Sequence, residues 1–207
     1  MTGPEEPEVT TSGPDRMAAF SDGVFAIAIT LLVLPLTEAD VRSGHVVEDL
    51  STLGPRFFTF ALSFLVIGLY WISHHEDVRL VVRVDRRLLA LNLLFLFFMV
   101  FLPLPTSVLG QTSDAASVIL YAATIMGASL SSLAIWVRAA RHDQLLAGAP
   151  STYLRSKVAG TVSTVAAFAV STPIALVSTR WGQLAWLLAI PFGYLGDRIA
   201  GLRVRRR

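Results

Sequence analysis

The residues best suited to chemistry stand where such residues are costly. Arg16, Ser21, Asp22 and Thr30 interrupt an apolar run over residues 16–36. Ser73, His74, His75, Glu76 and Asp77 close a second run, and Asn92 lies near the start of a third. A carboxylate at Asp22 must face protein or water and find partners. His74 is the first candidate, Asn92 the second, and Arg16 can close the network. Two chemistries suit the set. One is a buried polar cluster of Arg16, Ser21, Asp22 and His74 that locks three helices. The other is proton handling by Asp22 and His74. A metal site fits poorly, because adjacent histidines on a helix point about 100° apart. Enzymatic chemistry fits poorly too. The chain has no cysteine, no Gly-x-Ser-x-Gly, no His-Glu-x-x-His and only four histidines, His45, His74, His75 and His142. No cofactor is expected.

The elements that must carry these residues follow from composition. The chain has 207 residues, 54% hydrophobic and 15% charged, with mean hydropathy +0.62. A soluble domain carries about 25% charge, and here hardly any polar helix faces remain to meet water. The composition predicts an all-α, polytopic membrane protein. Six runs approach the roughly 20 residues that a helix needs to cross a bilayer: 17–36, 56–75, 88–109, 115–137, 155–178 and 182–202. Tyr70, Trp71, Tyr153, Trp181 and Tyr194 flank them as an interfacial belt. Residues 1–15 are acidic and rich in Pro, Gly and Thr, and read as a disordered tail. Residues 16–203 form one membrane domain, and residues 204–207 a basic tail. Pro103, Pro105, Pro173 and Pro191 are expected to kink spans without ending them.

Orientation follows from the basic residues. With both termini in the cytoplasm, the inner segments hold Arg16, Arg79, Arg83, Arg86, Arg87, Arg138, Arg141, Arg155, Lys157, Arg198, Arg203, Arg205, Arg206 and Arg207. The outer loops hold only Arg42, Arg56 and Arg180. Fourteen of seventeen on one side predicts a multi-pass protein of the cell membrane with an even number of spans. These short basic loops lie against apolar runs, so they read as membrane topology and not as a nucleic-acid surface. His74 and Asp22 then lie at similar depth.

On a helical wheel, Phe20, Gly23, Ile27, Thr30, Leu31 and Leu34 fall within about 60° of Ile27, whereas Asp22 falls about 140° away. The first helix thus has a stripe on one side and Asp22 on the other. Spacing alone fits ordinary helix packing as well as a functional face.

The run Arg16-x-x-x-Phe20-Ser21-Asp22 resembles the transmembrane protein 175 family, the lysosomal and bacterial potassium channels unrelated to the TVGYG type. That family is marked by R-x-x-x-F-S-D on its first helix. Residues 23–34, the Trp71…His74-His75 end of the second run, Asn92 and Leu-Pro-Leu-Pro-Thr at 102–106 are similar to it as well. The resemblance implies a K+-permeable channel whose first helix lines a central pore. A single six-helix repeat implies a homotetramer in the lipid bilayer. It implies a hydrophobic constriction at Ile27, Leu31 and Leu34, and a K+ preference at Thr30. It further implies a packing and gating network of Arg16, Phe20, Ser21, Asp22, His74 and Asn92. A proton-coupled transporter using Asp22 and His74 is the alternative.

Overall fold

The computed structural model describes residues 13–37, 49, 51–112, 114–142 and 151–186. The apolar runs within them are helices. The first is α1 (Gly13–Leu31) with the short α2 (Leu34–Thr37), and the second is α3 (Gly54–Val78). The third divides into α4 (Arg86–Phe101) and α5 (Pro103–Gln111). The fourth is α6 (Ala115–Arg141), and the fifth is α7 (Ser151–Val177), followed by α8 (Thr179–Ala185). Among the described residues, five units are long and apolar enough to cross a membrane: Gly13–Thr37, Gly54–Val78, Arg86–Gln111, Ala115–Arg141 and Tyr153–Val177. The expected sixth span, 182–202, begins in α8. From residue 187 onward it lies outside the described residues, with Pro191 and the basic tail. The acidic tail differs from expectation at its end, because α1 already includes Gly13, Pro14 and Asp15.

Local chemistry sets the helix ends. The Asp85 carboxylate accepts from the Leu88 amide at 2.7 Å and starts α4. Asp114 does the same for α6, accepting from the Ser117 amide at 2.9 Å. That backbone bond, with the Ser117 hydroxyl beside it, holds the Asp114 carboxyl below its usual range. A carboxyl lowered on folding adds stability above its unfolded pKa, which is lost as pH falls through its folded pKa. In the third span, Pro103 and Pro105 supply no amide hydrogen. Leu102 keeps helical angles, φ −56° and ψ −34°, and the Thr106 hydroxyl donates to the Leu102 carbonyl at 2.8 Å. The prolines therefore mark a junction between two helical segments without ending the span. Pro35 acts more strongly: α1 stops at Leu31, and Val33 closes a turn onto the Thr30 carbonyl at 3.3 Å.

Consecutive spans run antiparallel, and side chains from consecutive and more distant spans join the bundle at both ends and in the middle. At one end Ser63 bonds to Thr106 at 2.7 Å and to Tyr121 at 3.1 Å. Midway, Tyr70 bonds to Ser129 at 2.6 Å. At the arginine-rich end, Arg138 pairs with Asp85, and Lys157 pairs with the buried Asp77 at 2.6 Å. Hydroxyl contacts of this kind hold apolar helices together where the hydrophobic effect between them is weak. Trp186 stacks on Tyr121 and Phe168, with ring centroids 4.8 and 5.4 Å apart, and donates to Ser171 at 2.9 Å.

At Gly182 the chain approaches another helix's backbone closely. A Cβ at Gly182 would lie 2.7 Å from the Ala175 Cβ and 2.9 Å from its Cα, so α8 could not keep its place on α7. Gly182→Ala is expected to cost roughly 1–3 kcal/mol, seen as a lower melting temperature. An unchanged melting temperature would show that the two helices separate freely.

Candidate functional site: the first helix and its supports

The two sides of α1 have opposite surroundings. Met17, Ser21, Phe25 and Ala28 are buried on its inner side, and Leu32 continues that side into the turn. They pack against α3 and α4, where Phe25 meets Phe95 and His74 with ring centroids 5.8 and 5.9 Å apart. On the other side Phe20, Gly23, Ile27, Thr30 and Leu31 are exposed in the protomer, Ile27 to 59%. A Cβ at Gly23 would meet nothing within 4 Å. Leu34 is exposed as well, although the turn after Leu31 takes it off the α1 wheel. The Thr30 hydroxyl donates to the Ile27 carbonyl at 2.8 Å. Its oxygen therefore keeps acceptor capacity on the open side.

The polar residues behind α1 are joined differently from the expected cluster. Ser21 is fully buried, donates to the Met17 carbonyl at 2.8 Å, and accepts from the Asn92 amide at 3.1 Å. Asp22 faces α3 as expected, but its donor is the Trp71 indole N–H at 2.8 Å. His74 is buried against Phe95, with centroids 5.1 Å apart, and among the described residues its Nε2 has no hydrogen-bond partner, nor does Oδ1 of Asn92. His75 instead lies against Trp71 with centroids 5.9 Å apart, so the two histidine rings have different surroundings.

Arg16 and Phe20 do not join this cluster within the protomer. Arg16 is exposed, and no ion pair involves it among the described residues. The reason is angular. Both residues lie within about 20° of Ile27 on the wheel, on the stripe and away from Asp22. The single buried cluster of four is therefore corrected to two contacts, Ser21–Asn92 and Asp22–Trp71, with His74 enclosed by aromatic rings. Trp71→Phe removes the Asp22 donor and is expected to lower stability by about 1 kcal/mol, measured by thermal unfolding. No loss would mean that Asp22 is satisfied by water.

The arginine-rich end holds contacts that sequence reasoning missed. Asp77 accepts from Tyr153 at 3.0 Å as well as pairing with Lys157, and Lys157 also donates to Ser73 at 2.5 Å. Lys157 is the single lysine of the chain, a signal that was available. The contacts fasten the end of α3 that follows Trp71 and His74 to the start of α7.

Comparison with known proteins places this arrangement. The family model of the endosomal/lysosomal potassium channel TMEM175 matches residues 16–103, from Arg16 to the first proline of the α4–α5 junction. A potassium channel of Chamaesiphon minutus is 39% identical over 152 residues, 69% of this chain and 73% of that one. The human endosomal/lysosomal proton channel TMEM175 is 38% identical over 143 residues, 62% of this chain and 28% of that one. The crystal structure of a lysosomal potassium-selective channel TMEM175 homolog from Chamaesiphon minutus superposes with TM-score 0.72 at 27% identity. It covers 90% of this chain and all of that one. The relatives are ion channels and not enzymes, and the chain, an all-α multi-pass membrane protein, belongs to the TMEM175 family.

Proposed function

We propose that the protein conducts K+ through a central pore lined by α1 from four copies of the chain, across the cell membrane with both termini in the cytoplasm. The observation that carries this reading is the open side of α1. It holds Ile27 and Leu31 beside Gly23 and Thr30, all of them exposed in the protomer, and a Cβ at Gly23 would meet nothing within 4 Å. A purely lipid-facing side has no use for a small residue and a hydroxyl there, whereas a shared axis uses both.

Rings of Ile27, Leu31 and Leu34 side chains gate by dewetting. Water leaves a narrow apolar ring, and an ion alone does not recover its hydration energy there. Thr30 lies one turn along from Ile27 and offers its oxygen as partial replacement for the hydration shell. K+ loses its shell more readily than Na+, which gives a modest preference, weaker than that of a carbonyl filter. Ser21, Asp22, Trp71, His74 and Asn92 hold α1 against α3 and α4, and so set how far it can rotate or shift. In this assembly Arg16 and Phe20 lie on the side facing neighbouring copies.

Thr30→Val keeps the shape and removes the oxygen. The K+/Na+ permeability ratio is expected to fall about two- to threefold, read from reversal potentials under bi-ionic conditions. An unaltered ratio would remove Thr30 from the selectivity account. The human relative's description as a proton channel supports a second reading, proton permeation. Proteoliposomes with a K+ gradient at equal pH on both sides separate the two. Current that follows the K+ gradient supports K+ conduction. Current that appears only with a pH gradient supports proton movement or proton-coupled transport.

A further inference from the structure

At the arginine-rich end a cleft of about 310 Å³ opens between the first turns of α1 and the segment joining α3 to α4. Ala18, Val78, Val81 and Val82 form its apolar wall, and His75 and Arg79 its basic side. Asp15 is the one acidic side chain of the lining. Arg79, Arg83, Arg86 and Arg87 are all exposed, and none has an ion pair among the described residues. Asp85 and Asp77 are already paired with Arg138 and Lys157, which leaves Asp15 and the exposed Glu76 as the other acidic groups beside the cleft. Arg79, Arg83, Arg86 and Arg87 outnumber these two carboxylates, so basic charge around the cleft is in excess.

The cleft also lies on the side of α1 away from the proposed pore. Pro14, Asp15 and Ala18 line it, and each lies at least about 120° from Ile27 on the wheel, on the Asp22 side. Neighbouring copies around a central axis would leave it open to lipid. Arg79 caps the end of α3, at the level where a spanning helix leaves the hydrocarbon and meets headgroups. An apolar wall continuous with the spans and a basic rim at headgroup depth match one ligand class, a phosphodiester carrying acyl chains.

We propose that this cleft binds an anionic phospholipid of the inner leaflet, with the phosphate on Arg79 and the upper acyl chain along Val78 and Val82. Trp71, the donor to Asp22, lies against His75, which lines the cleft, with the two rings tilted. Lipid there therefore bears on the contact that holds α1.

The test uses the full chain purified in neutral detergent. Melting temperature is followed while phosphatidylglycerol, phosphatidylcholine or inorganic phosphate is added. Phosphatidylglycerol alone is expected to raise it. Arg79→Gln should shift the half-maximal lipid concentration upward about five- to tenfold, and Val82→Glu, which puts a negative charge into the wall, should do the same. Arg56→Gln, at the opposite end of the bundle, should not. If Arg79→Gln does not fold, Val82→Glu carries the comparison. Equal stabilisation by inorganic phosphate would overturn the proposal in favour of a soluble anion. Unchanged lipid response in both cleft variants would overturn it in favour of diffuse surface charge.

Discussion

Ile27→Asn is expected to raise K+ flux about tenfold, the equivalent of lowering the barrier by about 1.4 kcal/mol. The Ile27 side chain is 59% exposed in the protomer and packs into no core of its own. Replacing it costs the protomer little, so a change in flux reports on what faces Ile27 across the assembly. Four amides in place of four butyl groups keep water in the constriction and offer an ion partial ligands. The effect should be seen as faster K+-driven dye response in proteoliposomes. Leu65→Asn is the matched control, because Leu65 is as exposed as Ile27 but lies on α3. It should leave flux near that of the parent chain. If Ile27→Asn leaves flux unchanged, the narrowest apolar ring is elsewhere.

Lys157→Met is expected to have the largest effect on stability, a loss of about 3 kcal/mol. The Asp77 side chain is 5% exposed, and the Lys157 ammonium lies 2.6 Å from it. Removing the ammonium leaves a buried carboxylate with the Tyr153 hydroxyl as its remaining recorded donor. For a chain of this size that corresponds to a melting temperature lower by about 10 °C. The double variant Lys157→Met with Asp77→Leu removes both charges and should recover most of the loss, because a buried pair replaced by apolar side chains is near neutral. A single variant as stable as the parent would show that water already reaches Asp77.

How much of this was legible depended on the kind of information each feature needs. The two-sided character of α1 follows from periodicity within one helix. Ile27 on the open side and Ser21 on the buried side were therefore readable before any fold was known. Depth was readable as well, since the runs and their basic ends put Asp22, His74 and Asn92 at one level. Direction around a neighbouring helix was not readable. Trp71 and His74 are less than a turn apart on α3, and only the packing of α1 decides that Trp71 meets Asp22 while His74 turns to Phe95. Arg16 was a different case. Its wheel position puts it on the Ile27 side, which argues against a contact with Asp22 in the same protomer. The clamp of Asp77 by Lys157 and Tyr153 joins the second and fifth spans, a pairing that topology along the chain does not specify. Pro35, without an amide hydrogen, was a visible reason for the helix to stop at Leu31.

The central claim concerns which helix stands at the shared axis. Single-particle imaging of the full chain in lipid nanodiscs measures that directly. The account predicts four copies with α1 nearest the four-fold axis and the Ile27 side chains at its narrowest point. Another helix at the axis, with the Ile27 side facing lipid, or a solitary protomer with no shared conduit, would contradict it.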